Sequence, residues 1–195
     1  MPREPQRLYA TMTDSYIPIQ LKANPDNVVF ANGFELLQKM SAIEIASCLI
    51  ANDNALYSPE IQKAHGGSAT LWAQHIESNP GCWGFLLETG TLNIVSNWSF
   101  CFVNEETEEI IRSGQFHEGS FSLSKRDDIF STRATSIYLL NISANISHRS
   151  EKNRRLLWNT LAKRVFELSK DSLIKGIWTT VLREDQTQMF QEMGF

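Results

Sequence analysis

Cysteine is scarce in this chain: Cys48, Cys82 and Cys101 are the only three in 195 residues, and no two form a C-x-x-C pair. An odd number of widely spaced cysteines argues against a disulfide framework. It points to free thiols in a reducing compartment, so the expected location is the cytoplasm. The glycosylation-type triplets that begin at Asn97, Asn141 and Asn145 are then chance matches. No apolar run reaches the roughly 18 residues of a membrane-spanning helix. The opening MPREPQRLYA lacks the apolar centre of a secretory leader. A large excess of one charge is missing too. Lys+Arg number 18 against 22 Asp+Glu, a net charge of −4, which does not suit a nucleic-acid binder, although a local basic patch can still act. His65 and His75 have no carboxylate partner at ligand spacing, so no metal site is expected. Neither G-x-S-x-G nor a Walker loop occurs.

What is present suits a globular α/β chain: 42% hydrophobic and 10% aromatic residues. Residues 1–26, with Pro2, Pro5, Pro18 and Pro25, read as an N-terminal extension in which only YIPIQL has strand character, at an edge. Residues 27–195 read as a single domain. Val28–Phe30 is a short strand closed by Asn32–Gly33. Apolar residues at spacings of three and four predict one helix from Phe34 to about Ala51 and another through Ser68–Ile76. The period then changes. CWGFLLE and LNIVSNWSFCFV form two strands around Thr89–Gly90–Thr91. NEETEEIIRS is a short acidic helix. Residues 114–133 hold either a short strand, SFSL, or a loop over a site.

The last third carries the clearest order. SIYLLNISA is a strand, HRSEKNRR a basic loop, and LLWNTLAKRVFELS a helix with a stripe of Leu157, Trp158, Leu161, Val165, Phe166 and Leu168. IKGIWTTVL is a second strand and EDQTQMFQEM a final helix. The helix-bearing connection between these strands makes a crossover, hence a parallel pair. The expected architecture is a mixed, largely antiparallel sheet of about six strands, with the parallel pair near its centre and helices on both faces. Trp83, Trp98 and Trp178 are expected in the core, as are Cys82 and Cys101.

This order, with Leu140–Ala144 as strand, Arg149 opening the basic loop, Leu156–Leu161 as helix start and Met189–Phe195 (MFQEMGF) as ending, resembles the GNAT superfamily of N-acyltransferases. The resemblance implies an acyl-coenzyme A fold and transfer of an acyl group, acetyl first of all, from a thioester to an amine. It implies that Leu140, Ile142, Ser143 and Ala144 lie beside the pantetheine arm. Arg149, Lys152, Asn153, Arg154 and Arg155 would meet the donor phosphates, and Phe190 would take the place of the family's usual tyrosine. Lys152 and Arg154 stand where the family pattern has glycine, so side-chain cations would replace backbone amides there. The same resemblance expects one or two further strands after Gly194–Phe195.

Catalytic expectations fall on Glu118 as proton acceptor and on Asn145, which with Ser143 marks backbone positioned to polarise the thioester carbonyl. His117, Glu105 and Glu106 are alternative bases, and each of these groups also reads as a solvated surface residue. The acceptor is a small-molecule or protein amine. The donor is acetyl-coenzyme A or another acyl thioester, acyl carrier protein included, without a metal, and a homodimer stays open. Two rivals are kept. One is a carrier-dependent acyl-homoserine lactone synthase, and the other is a non-catalytic binding domain of the same fold.

Overall fold

Local capping decides where the helices begin. The computed structural model describes residues 27–118, 134–145, 148–171 and 173–180. Strand β1 (Val28–Asn32) runs into helix α1 (Gly33–Leu37), and α2 (Ala42–Leu56) follows after a turn. The sequence predicts one helix here. Two form because Asn32 and Ser41 each build a capping box, with Glu35 and Glu44 reaching back to the cap amides. Ser58 caps α3 (Pro59–His65), an unforeseen helix with proline in its first turn. Ser68 caps α4 (Ala69–Ser78). A tight turn at Pro80–Cys82 leads to β2 (Trp83–Glu88), β3 (Ile94–Val103), α5 (Glu105–Arg112), β4 (Ala134–Ala144), α6 (Glu151–Asp171) and β5 (Leu173–Thr179). The suggested strands YIPIQL and SFSL, the final helix and Phe190 lie outside the described residues.

The described sheet has five strands in the order β1-β2-β3-β4-β5. All neighbours are antiparallel except β4 and β5, which α6 joins in parallel. Among the described residues the parallel pair therefore lies at one end of the sheet, not near its centre. A β-bulge shifts the β3–β4 register: Ser99 faces Asn141 while Phe100 faces Leu139, leaving Leu140 as the extra residue.

The two faces of the sheet differ. Trp98, Phe100, Ile137 and Leu139 belong to the face that α6 covers with Leu157, Leu161, Val165 and Leu168. There the indole of Trp98 donates to Thr160 Oγ1 at 3.0 Å, which satisfies its one polar group. Gly84 makes room for this ring, since a Cβ would meet it at 2.2 Å. Phe166, expected in the stripe, is 37% exposed because it sits one position off the Leu157–Leu161–Val165–Leu168 line. The other face carries Trp83 and Phe85 beneath α2 and α4, and beside them the small polar residues Asn97, Ser99, Asn141 and Ser143.

Helix α6 starts earlier than the periodicity of its apolar residues implies. Ser150 accepts the amide of Asn153 at 3.1 Å, so Lys152, Asn153, Arg154 and Arg155 form the first helical turn and not a loop.

Candidate functional site

β4 has strands on both sides along only part of its described length. From Ser136 to Leu139 it is paired with β3 on one side and β5 on the other, the last register being Leu139 with Thr179. At that point the Leu139 carbonyl accepts from the side-chain hydroxyl of Thr179 at 3.2 Å. From Leu140 to Ala144 the strand continues along β3 alone among the described residues. The bulge at Leu140 coincides with this change.

Tyr138 sits at the same place. It is fully buried, its ring lies 4.5 Å (centroid to centroid) from that of Phe116, and its hydroxyl reaches Thr180 Oγ1 at 2.6 Å. The hydroxyl also donates to Glu118 Oε1 at 2.7 Å, which fixes the carboxyl that follows Phe116 in the chain. Glu118 lines a cavity of about 430 Å³ walled by α2, α3, Trp72, Trp83 and the β3–β4 pair. That volume suits a small organic ligand.

Asp53 of α2 lines the same cavity. Its Oδ1 accepts from Asn141 Nδ2 at 3.3 Å, tying the helix to the second half of β4. Burial raises the Asp53 carboxyl to about 6, against the lowering effect of that hydrogen bond. Burial likewise raises Glu118 to about 7; the bond from Tyr138 opposes the rise and the charge of Asp53 adds to it. Both groups therefore hold or release a proton near neutral pH. Lys63 is the cationic side chain on the wall, on an exposed stretch of α3.

The expected site residues fall into two groups. Glu118 and Leu140 meet at the cavity. Ser143 belongs to the same sheet face, where its hydroxyl donates to Asn97 Oδ1 at 2.8 Å. Ile142 belongs to the opposite face, opposite Trp98, and packs on the main core. Asn145 extends the strand, its amide donating to the Val95 carbonyl at 2.8 Å. Beyond it the Arg149 guanidinium donates to the Ala144 carbonyl at 3.1 Å. Asn153 is 2% exposed and its side-chain amide donates to the His148 carbonyl at 3.1 Å. Arg154 and Arg155 both pair with Glu151, the latter at 2.8 Å, so the loop's own carboxylate offsets part of a cluster expected to need an outside anion. Lys152 is exposed. Of the alternative bases, Glu105 is exposed and paired with Lys175 at 2.7 Å. His117 and Glu106 are not among the cavity's lining residues.

Sequence reasoning missed Asp53, Asn97, Ser99, Tyr138 and Asn141. Asp53 had a signal: it continues the buried Ile45–Leu49 line of α2 at a spacing of four, where an apolar residue is the norm. The alternation Asn97, Ser99 within an otherwise apolar strand was a second signal. Among the described residues no group of three His, Cys, Asp or Glu could hold a metal ion. No described helix is long and apolar enough to cross a membrane.

No protein-family model matches the chain, and no curated protein matches it. Solved structures do. The chain is similar to a ribosomal-protein-alanine N-acetyltransferase from Brucella melitensis biovar Abortus 2308 at 13% identity, covering 85% of this chain and 89% of that one, with a TM-score of 0.43. It is similar to a GCN5-related N-acetyltransferase from Ralstonia eutropha JMP134 at 12% identity, over 86% and 90% of the two chains, TM-score 0.46. An acetyltransferase from Clostridium acetobutylicum, solved with acetyl-CoA, gives 10% identity over 87% and 88%, TM-score 0.46. The likeness is one of fold alone. Chemistry has to be sought in this chain's own side chains.

Proposed function

We propose that the chain moves an acyl group from an acyl thioester, acetyl-coenzyme A in the first instance, to the amine of a small molecule, with Glu118 as proton acceptor. The observation that carries this reading is the position of Glu118. Its carboxyl, raised to about 7, lines the cavity and is bonded by Tyr138, next to the last described β4–β5 register. A general base is most effective when its pKa lies near the working pH. Along Leu140–Ala144, where β3 is the one strand partner among the described residues, β4 offers an edge against which the thioester arm can lie.

An amine enters such a cavity as an ammonium ion, drawn by Asp53 and Glu118. Burial weakens its hold on the proton, and the Glu118 carboxylate accepts it. The freed nitrogen lone pair attacks the thioester carbonyl carbon. The C–S bond breaks with its electron pair on sulfur; the nitrogen loses its second proton as the amide forms, and that proton passes through solvent to the leaving thiolate. In this reading backbone N–H groups at the Leu140 bulge donate to the carbonyl oxygen as charge develops on it. Arg149 and Lys152, beyond the far end of β4, take the donor phosphates. Arg154 and Arg155 join them only by leaving Glu151.

The test is thiol release from acetyl-coenzyme A in the presence of an amine panel, together with melting curves. A carrier-bound donor has no ADP for the loop to hold, so comparing acetyl-coenzyme A with acetyl-pantetheine measures what the loop adds. Thiol release and a raised melting temperature support acyl transfer. No release with any amine, and no shift with acetyl-coenzyme A, free coenzyme A or an acyl carrier protein, would leave a domain with the fold and without the reaction.

A further inference from the structure

The cavity holds more unsatisfied polar groups than acyl transfer to a simple alkylamine requires. Six buried side-chain polar atoms among the described residues have no hydrogen-bond partner, and three of them, Trp83 Nε1, Asn97 Nδ2 and Ser99 Oγ, belong to residues that line this one cavity. Trp83, Asn97 and Ser99 are 3%, 1% and 0% exposed. A buried donor left unpaired costs about 1–3 kcal/mol, so such groups gather where a ligand satisfies them. The amide of Asn97 has a defined orientation: its oxygen is taken by the Ser143 hydroxyl, which leaves the NH₂ as the free end. Trp83 faces Ser99 across the β2–β3 ladder, and Asn97 is two residues along the same strand face. The three residues are thus neighbours on the sheet face that lines the cavity, whose wall also carries Asp53 of α2.

The character of the patch selects its ligand. An indole N–H and an amide NH₂ only donate, and a serine hydroxyl both donates and accepts. The complement is an oxygen. Asp53 and Glu118 share the cavity and repel an anion, while Lys63 opposes them only from an exposed position. A carboxylate is therefore disfavoured and a neutral hydroxyl favoured.

We infer that the acceptor is a hydroxylated amine, its nitrogen held by Glu118 and Asp53 and its hydroxyl by Asn97, Ser99 and Trp83. This rests on the acyl-transfer reading for the identity of the reacting end, but binding can be read without any donor. The experiment compares, on the full chain, 3-aminopropan-1-ol and n-butylamine, which are matched in size, with the longer 4-aminobutanoate. Acetyl transfer gives kcat/KM, and quenching of tryptophan fluorescence without donor gives Kd. The expected result is at least a tenfold preference for the amino alcohol over the alkylamine, in Kd and in kcat/KM. Trp83→Phe and Ser99→Ala, each checked for an unchanged melting temperature, are expected to lower that preference about three- to tenfold, the worth of one hydrogen bond. Equal use of all three amines, or preference for n-butylamine or 4-aminobutanoate, overturns the inference while acyl transfer stands. Absence of transfer to any amine defeats acyl transfer instead. The fluorescence titration then still decides, since equal Kd values for amino alcohol and alkylamine overturn the hydroxyl assignment by themselves.

Discussion

The two halves of β4 are built from similar residues and meet different neighbours. Ser136 to Leu139 are at most 6% exposed and lie between two strands. Leu140 to Ala144 have β3 on one side only among the described residues, and all but Ser143 are partly exposed. The first half satisfies its backbone within the sheet and contributes stability. Beside the second lie Asp53, bonded to Asn141, and Arg149, bonded to the Ala144 carbonyl. The lesson is that one strand has two kinds of surroundings along its length, with the change marked by a bulge and a tyrosine.

The largest expected effect breaks the chemistry and spares the fold. Glu118→Gln keeps an acceptor for the Tyr138 hydroxyl and removes the base, so kcat/KM for acyl transfer is expected to fall roughly 10²- to 10⁴-fold. The sign for stability is the opposite. Burial raises the Glu118 pKa from 4.5 to about 7, so the folded state binds this proton more tightly than the unfolded one. Its contribution is intact below pH 4.5 and is lost as pH rises to about 7. The glutamine variant is therefore expected to melt higher than the parent at pH 8 and no higher at pH 4, by calorimetry.

Next come alanine substitutions on the two halves. Ile137→Ala, in the doubly paired half, is expected to cost about 2–5 kcal/mol in denaturant unfolding. Leu140→Ala, at the bulge, is expected to cost under about 2 kcal/mol and to raise the donor KM instead. Equal costs at the two sites would contradict the division.

Tyr138→Phe removes the bond that lowers the Glu118 pKa, so the rising limb of the pH–rate profile is expected to move to higher pH. Each unit of movement cuts the rate at neutral pH by up to about tenfold. An unmoved profile would mean that Glu118 is not the titrating base. The smallest effect is at the loop. Arg149→Ala is expected to raise the donor KM about two- to fivefold, as for an exposed ion contact, and Arg154→Ala less, because Arg154 is already held by Glu151.

Much of this frame was legible before any coordinates. The switch from a spacing of three and four to alternation placed β2 and β3, and the 29 residues between SIYLLNISA and IKGIWTTVL fixed the parallel pair. Glu118 was named from its place ahead of β4. Capping was the weak point: Ser41, Ser58 and Ser150 each start a helix where apolar periodicity alone gave no boundary. The cavity's polar side was unreadable for a different reason. Asp53 lies 88 positions from its partner Asn141 along the chain, and Asn97 lies 46 from Ser143. Such pairs exist only once α2 is laid across the β3–β4 ladder.

Hydrogen–deuterium exchange of the β4 amides, with and without acetyl-coenzyme A, tests the division most directly. The expected result is protection by the donor from Leu140 to Asn145, with Ser136–Leu139 already slow to exchange and unchanged. Exchange unaltered along the whole strand, or slowed evenly from end to end, would contradict a thioester arm lying against its second half.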